Sequence, residues 1–372
     1  MKSAQLLPSE NLVFLLREIY DKYGYSRYKM NKFEEYDLYA KNKDFLISDG
    51  VITFTDTNGK LLALKPDVTL SIVKNTKDSG KNVQKLYYNE NVYRVSKGTH
   101  SFKEITQVGL EAIGDIDEYT IFEVISLAVK SLVCTGENCI LEISHLGLLS
   151  DVINYAGVPK GEIRKAFHFI GEKNIHELIA FCDSLGIEKS KTDLLANTAK
   201  IYGTANNVLP WIRENLTGIA DEDNIKTFEN VITALSSDEN GDIIRIDFSA
   251  VDDIRYYNGF VFKGFSEGIP QSVLSGGQYD ALMKNMKRKS GAVGFAVYLD
   301  SFENAPSASD YDVDVLLLYS ENSDISAVKS AAEKIIADGK SILMQREKTD
   351  TVKYRMLMEE KDGEVICVEN NA

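Results

Sequence analysis

Positions 251–262 read VDDIRYYNGFVF: two aspartates, an Ile-Arg step, a tyrosine pair, an Asn-Gly turn and an apolar run. Read as a strand, this stretch sends neighbouring side chains to opposite faces, so one of Tyr256 and Tyr257 points into the fold. A second stretch with chemical content is EITQVGLEAI at 104–113. Its alternation puts Ile105, Gln107, Gly109, Glu111 and Ile113 on one face and Thr106, Val108, Leu110 and Ala112 on the other. A face carrying Gln and Glu around a glycine either meets water or lines a pocket. The glycine lets another group approach the sheet closely. Asp67 follows Pro66 in KPDVT, a position that suits a helix cap as well as a ligand carboxylate. Taken singly, each residue has an ordinary reading: Gln107 and Glu111 as a solvated face, Tyr257 as a core ring, Arg94 as a surface cation.

The elements that must position these residues follow from periodicity. Residues 9–23 predict a helix, with Ser9 as its cap, apolar residues at spacings of three and four, and Gly24 as its stop. Residues 51–64 predict a hairpin around Asn58-Gly59. KPDVTLSIVKNT reads as a turn leading into a helix, with Pro66 near its start. Residues 85–94 and 104–113 read as two antiparallel strands joined by VSKGTHSFK. A helix follows over 117–133, then a strand in CILEISHLGLL, then a predominantly helical insertion over about 148–236. Strand signals resume at 242–251 and continue through YYNGFVFKGF, SVLSGGQYDALM and GAVGFAVYLD. After the linker NAPSASD (304–310) the tail predicts strand 313–319, helix 326–338, strand 341–345, helix 351–359 and strand 364–368. That order favours a parallel sheet. The fold class is α+β: a mostly antiparallel sheet flanked by helices, interrupted by a helical insertion, with a small C-terminal α/β domain.

With 372 residues the chain has room for two or three domains. Its 42 Lys+Arg against 56 Asp+Glu leave a net charge of -14, which disfavours contact with nucleic acid except through a local patch. The basic run KNMKRK (284–289) reads as a solvated loop, or more sharply as a partner contact. Cys134, Cys139, Cys182 and Cys367 form no Cys-x-x-Cys and have no histidine at zinc spacing, which points to reduced thiols in a cytoplasmic protein without a metal site. Charges interrupt the apolar pattern of the N-terminal helix, and no later segment reaches 18 uncharged apolar residues, so neither a signal peptide nor a membrane span is expected.

Five stretches in order, KPDVT (65–69), YR with TQVGLEAIG (93–114), RYYNGFVF (255–262), SGGQYDAL (275–282) and GAVGFAVYLD (291–300), resemble the catalytic domain of histidyl-tRNA synthetase and its non-catalytic relatives. The resemblance covers roughly residues 5–303, and the tail more weakly resembles that family's anticodon-binding domain. It implies a class II synthetase-like domain at 1–303 and a truncated anticodon-binding-like domain at 311–372. It also implies a histidine pocket. Asp67 and Thr69 then suit an α-ammonium group, and Arg94 suits a carboxylate through its planar fork. Gln107 matches the glutamine at the α-amino end, while Glu111, Tyr256, Tyr257 and Tyr279 close the imidazole side, with oxygen atoms able to accept its N–H.

Departures from the family pattern bear on function. The family reads Arg-Gly-Leu-Asp-Tyr-Tyr where this chain reads Asp252-Asp253-Ile254-Arg255-Tyr256-Tyr257, so its catalytic arginine aligns with Asp252. The family's Gly-Leu-Glu-Arg is YLDS here, which puts Ser301 in place of an arginine that grips ATP, and the loop Gly-Arg-x-Arg becomes GTHSFK, leaving Lys103. An arginine on a phosphoryl transition state is worth roughly 10³–10⁵ in rate. A carboxylate ~4 Å from phosphate adds about 4 kcal/mol of repulsion at an effective dielectric of ~20. Arg255, three residues along, is an alternative source of the missing charge. Residues 310–372 hold 8 Lys+Arg and 14 Asp+Glu, which makes tRNA binding unlikely. A histidine pocket without ATP chemistry resembles the regulatory subunits of ATP phosphoribosyltransferase. That implies a short-form catalytic subunit as partner, histidine as ligand, no cofactor, and a homodimer within a hetero-oligomer. It also implies a role in the first step of histidine biosynthesis and its feedback. A divergent histidyl-tRNA synthetase, or a histidine-binding pseudo-synthetase in another pathway, are the alternatives.

Overall fold

The computed structural model describes residues 8–46, 50–77, 82–95, 101–136, 138–251, 256–303, 311–349, 351–361 and 363–371. Asp252, Asp253, Ile254 and Arg255, the linker 304–310 and part of the loop joining the two long strands lie outside them. The described residues fall in two compact units, one within 7–303 and one within 304–372.

The first unit opens with α1 (Pro8–Lys22). The helix already includes Pro8, so Ser9 stands inside its first turn rather than capping it; proline at a first turn gives up an N–H that has no helical partner there. Then come β1 (Ser26–Arg27), β2 (Phe33–Glu35), α2 (Tyr36–Lys41), β3 (Thr53–Thr55), β4 (Leu61–Leu64) and α3 (Thr69–Asn75). Strands β3 and β4 form the hairpin expected at Asn58-Gly59, with Gly59 at φ 81°. Two long strands, β5 (Gln84–Val95) and β6 (Phe102–Gly114), pair antiparallel and lead to α4 (Glu118–Val133) and β7 (Cys139–His145). Helices α5 (Leu146–Ala156), α6 (Ile163–Gly171), α7 (Ile175–Ser184) and α8 (Lys189–Ala199), strand β8 (Tyr202–Gly203), and helices α9 (Ala205–Leu216) and α10 (Glu222–Ser236) follow. Strands β9 (Ile244–Asp247), β10 (Phe260–Ser266) and β11 (Leu274–Gln278), helix α11 (Asp280–Asn285), strand β12 (Gly291–Tyr298) and helix α12 (Asp300–Glu303) complete the unit.

Its main sheet has nine strands in the order β1-β5-β6-β12-β11-β10-β7-β9-β8. The alternation of β6 is realised as read. Val108, Leu110 and Ala112 enter a core with α4, whose Ile121, Val124, Ile125 and Ala128 are buried. Gln107 and Glu111 are also buried, on the opposite face, so that face lines a pocket and does not meet water. The core extends into the helical segment through Leu148, Val152, Ile225, Phe228 and Ile232. His145 caps α5 by accepting from the backbone N–H of Leu148 at 3.2 Å through Nδ1. Burial lowers its pKa from 6.5 to about 4. The unfolded chain therefore binds a proton between pH 6.5 and 4 that the folded chain refuses. This group's stabilisation is complete above pH 6.5 and declines as pH falls towards 4. We expect His145→Gln to flatten the acid limb of the melting-temperature profile; an unchanged limb would refute the assignment.

The second unit comprises β13 (Val313–Leu318), α13 (Ile325–Ala337), β14 (Ile342–Gln345), β15 (Tyr354–Lys361) and β16 (Glu364–Asn370). The helix predicted at 351–359 is instead strand β15, paired parallel to β13 and antiparallel to β16. Met, Leu and Glu in YRMLMEEK favour a helix locally, but pairing with β13 on one edge and β16 on the other outweighs that preference. Gly363 takes φ 84°. Among the described residues, no helix is long and apolar enough to cross a membrane, and the four cysteines are free.

Candidate ligand pocket

The sheet presents a floor of short side chains. One rung across it runs through Leu86 on β5, Glu111 on β6, Gly294 on β12 and Gly277 on β11. The next runs through Tyr88, Gly109, Ala296 and Ser275, and the third through Glu90, Gln107 and Tyr298. Over this floor lies a small polar cavity. All eight residues singled out from the sequence line it: Asp67, Thr69, Arg94, Gln107, Glu111, Tyr256, Tyr257 and Tyr279. Tyr256 and Tyr257 precede β10 and do not alternate within it. Their rings meet edge-on at 4.7 Å, so both face the cavity instead of one facing in and one out.

Glu111 is the centre of the network. Thr69 donates through Oγ1 to Glu111 Oε1 at 2.8 Å, and the Tyr279 hydroxyl donates to Oε2 at 2.5 Å. Burial pushes the Glu111 carboxyl up to about 8, Asp67 adds to the rise, and the two hydroxyl donors oppose it. Asp67 accepts from the backbone N–H of Leu70 at 2.8 Å, so it also caps the first turn of α3. Burial raises its pKa as well, against the pull of the Leu70 hydrogen bond and the Arg94 charge. Arg94 donates from Nε to the Pro66 carbonyl at 3.1 Å, which ties the end of β5 to the loop that carries Asp67. Tyr88, Tyr256 and Tyr279 are raised well above the usual phenol value by burial, so they act as neutral hydroxyls. Two buried carboxyls with one guanidinium, ringed by phenols, suit a small ligand that carries both a cation and an anion.

Two glycines make the site possible. A Cβ on Gly294 would collide with Glu111 Oε2, and one on Gly109 would collide with the Tyr88 hydroxyl. Gly294→Ala should displace the Glu111 carboxylate and destabilise the unit by about 1–3 kcal/mol. Thermal melting checks the loss; an unchanged melting temperature would contradict the close approach.

Lys103 is exposed on β6 opposite Arg94, and Ser301 lies in α12. Asp252 and Arg255 lie outside the described residues. Arg288, from the basic run, donates to the Val73 and Lys74 carbonyls at the end of α3, at 3.1 and 3.2 Å, so it is anchored and not a freely solvated loop residue. Tyr88, Ser275, Gly294 and Tyr298 also line the cavity and were not singled out from the sequence. The period-2 alternation of β11 and β12 was the available signal, since Ser275 and Gly277, and Gly294, Ala296 and Tyr298, share the faces of Gln107 and Glu111.

The family model described as Histidyl-tRNA synthetase matches residues 4–302. The chain belongs to the histidyl-tRNA synthetase family. Within reach of this family, a curated relative from Oceanobacillus iheyensis named ATP phosphoribosyltransferase regulatory subunit is 27% identical, covering 93% of this chain and 87% of its own. A crystal structure from Bacillus halodurans, titled as an ATP phosphoribosyltransferase regulatory subunit/histidyl-tRNA synthetase, superposes with a TM-score of 0.69 at 24% identity, covering 91% of this chain and 88% of that one. Histidyl-tRNA synthetase from Nostoc sp. PCC 7120 superposes with the same TM-score at 15% identity, covering 98% and 95%. The fold is thus that of the class II synthetases, a large sheet flanked by helices with a small second sheet.

Proposed function

We propose that this chain is the regulatory subunit of an ATP phosphoribosyltransferase, required for the first step of histidine biosynthesis and for its feedback by histidine. The observation that carries the reading is a polar cavity lined by Asp67, Arg94, Gln107, Glu111 and a set of tyrosines, in a chain whose family positions for gripping ATP read Asp252 and Ser301. Curated relatives that align along most of the chain carry the name of that subunit, which supports the same reading. The chain is non-catalytic and acts with a short-form catalytic subunit, as a homodimer within a hetero-oligomer. Its second unit is a shortened counterpart of an anticodon-binding domain.

In the pocket, the histidine α-ammonium meets Asp67, Thr69 and Gln107, and its carboxylate meets Arg94. Its imidazole lies among Glu111, Tyr256, Tyr257 and Tyr279. Regulation then requires histidine to bind one state of the complex more tightly than another, because only differential affinity shifts an equilibrium. The test is to mix the full chain with a short-form catalytic subunit. A co-eluting complex with raised phosphoribosyl transfer is expected; no complex and no gain would overturn the proposal.

A further inference from the structure

We propose that Tyr298, held by Ser275, is the end wall of the pocket and sets the length of the ligand it accepts, limiting it to a free amino acid and excluding derivatives extended from the carboxyl end. The inference rests on the histidine-pocket reading and adds a specificity determinant to it.

The floor shows why. Along the cavity face of β12 the side chains run Gly294, Ala296, Tyr298. Beside them on β11 run Gly277 and Ser275, and on β6 run Glu111, Gly109 and Gln107. The first rung therefore has no side chain on either strand beyond Glu111, and the second has a methyl and a hydroxymethyl beyond Gly109. Over the glycines of these two rungs lie the Glu111 carboxylate, the Tyr257 ring and the Tyr88 hydroxyl, and at the third rung a phenol ring stands beside Gln107. Glu111 and Gln107 lie about 13 Å apart along the strand at ~3.3 Å per residue. The Tyr298 hydroxyl and Ser275 Oγ share a hydrogen bond of 2.6 Å, which fixes the ring across the second and third rungs.

The ends of the cavity also differ in chemistry. Glu111 and Tyr279 form one hydrogen-bonded pair and take the imidazole side. Gln107 lies at the other end, and Arg94 reaches in from two rungs further along β5. The main-chain end of an amino acid therefore faces Tyr298. Anything joined to its carboxyl carbon must continue across the third rung, which the ring occupies. Replacing the ring by a small side chain would join the pocket to the space beyond.

The test compares two probes of equal charge, L-histidinamide and L-histidine benzylamide, with L-histidine as reference, in calorimetric titrations of the full-length protein. Wild type should prefer histidinamide to the benzylamide by at least tenfold. Tyr298→Ala should reduce that preference at least tenfold, and Tyr298→Phe, which keeps the ring and loses the Ser275 bond, should retain it. Should the alanine variant fail to fold, Tyr298→Ser, which keeps a hydroxyl opposite Ser275, makes the same comparison. If histidine binds but the preference is the same in wild type and in the small-side-chain variants, the end-wall inference is overturned while the ligand reading stands. If L-histidine fails to bind wild type at all, the ligand reading fails and takes this inference with it.

Discussion

Glu111→Gln is expected to stabilise the ligand-free protein at alkaline pH, by an amount that grows from near zero at pH 4.5 to its full value at pH 8. The folded-state pKa of Glu111 is about 8 against a reference of 4.5. Between those values the folded chain keeps a proton that the unfolded chain has released. Wild-type stability from this group is therefore greatest below pH 4.5 and falls by up to about 1.4 kcal/mol per pH unit until pH 8. Glutamine stays neutral throughout and removes the slope. It also preserves the network, since its carbonyl accepts one of the two hydroxyls and its amide donates to the other. Because His145 acts only below pH 6.5, its titration does not enter the interval from 6.5 to 8. Melting temperatures of the two proteins should diverge across that interval. Parallel curves would mean that Glu111 is already ionised in the empty pocket and would contradict the burial-raised pKa.

The second large effect is a missing activity. Histidine-dependent ATP–pyrophosphate exchange should be lower than that of a histidyl-tRNA synthetase by at least about 10³, the lower bound for the loss of one phosphate-holding arginine. The physical reason is charge. The synthetase pattern supplies arginines at positions that here read Asp252 and Ser301, and a carboxylate in that neighbourhood repels phosphate. Restoring cations with Asp252→Arg and Ser301→Arg together should raise nucleotide affinity from that low baseline, whether or not turnover follows. Robust exchange by the wild-type chain would refute the regulatory assignment outright and make the chain a working synthetase.

The pocket was legible in the sequence for a specific reason. Strand β6 alternates cleanly, so Gln107 and Glu111 had to share a face, and burial of the other face by Val108, Leu110 and Ala112 fixed which one. Asp67, Arg94 and the tyrosines were legible only through the order of several short motifs, because each has a common structural role of its own. Asp67 does fill that role, capping α3 while lining the cavity. The small residues of β11 and β12 escaped notice because glycine and alanine carry no chemical signal until the sheet register shows what lies opposite them. The error at 351–359 has another origin. Helical propensity in YRMLMEEK is local, whereas the pairing with β13 and β16 that makes it a strand is not visible within the segment.

Calorimetric titration of the full-length protein with L-histidine, beside Glu111→Ala, tests the account most directly. The prediction is saturable binding by wild type and a loss of roughly 10–150-fold in the variant, the range for one charge-assisted hydrogen bond of about 1.5–3 kcal/mol. Absence of saturation in the wild type, or equal affinity in the folded variant, would contradict it.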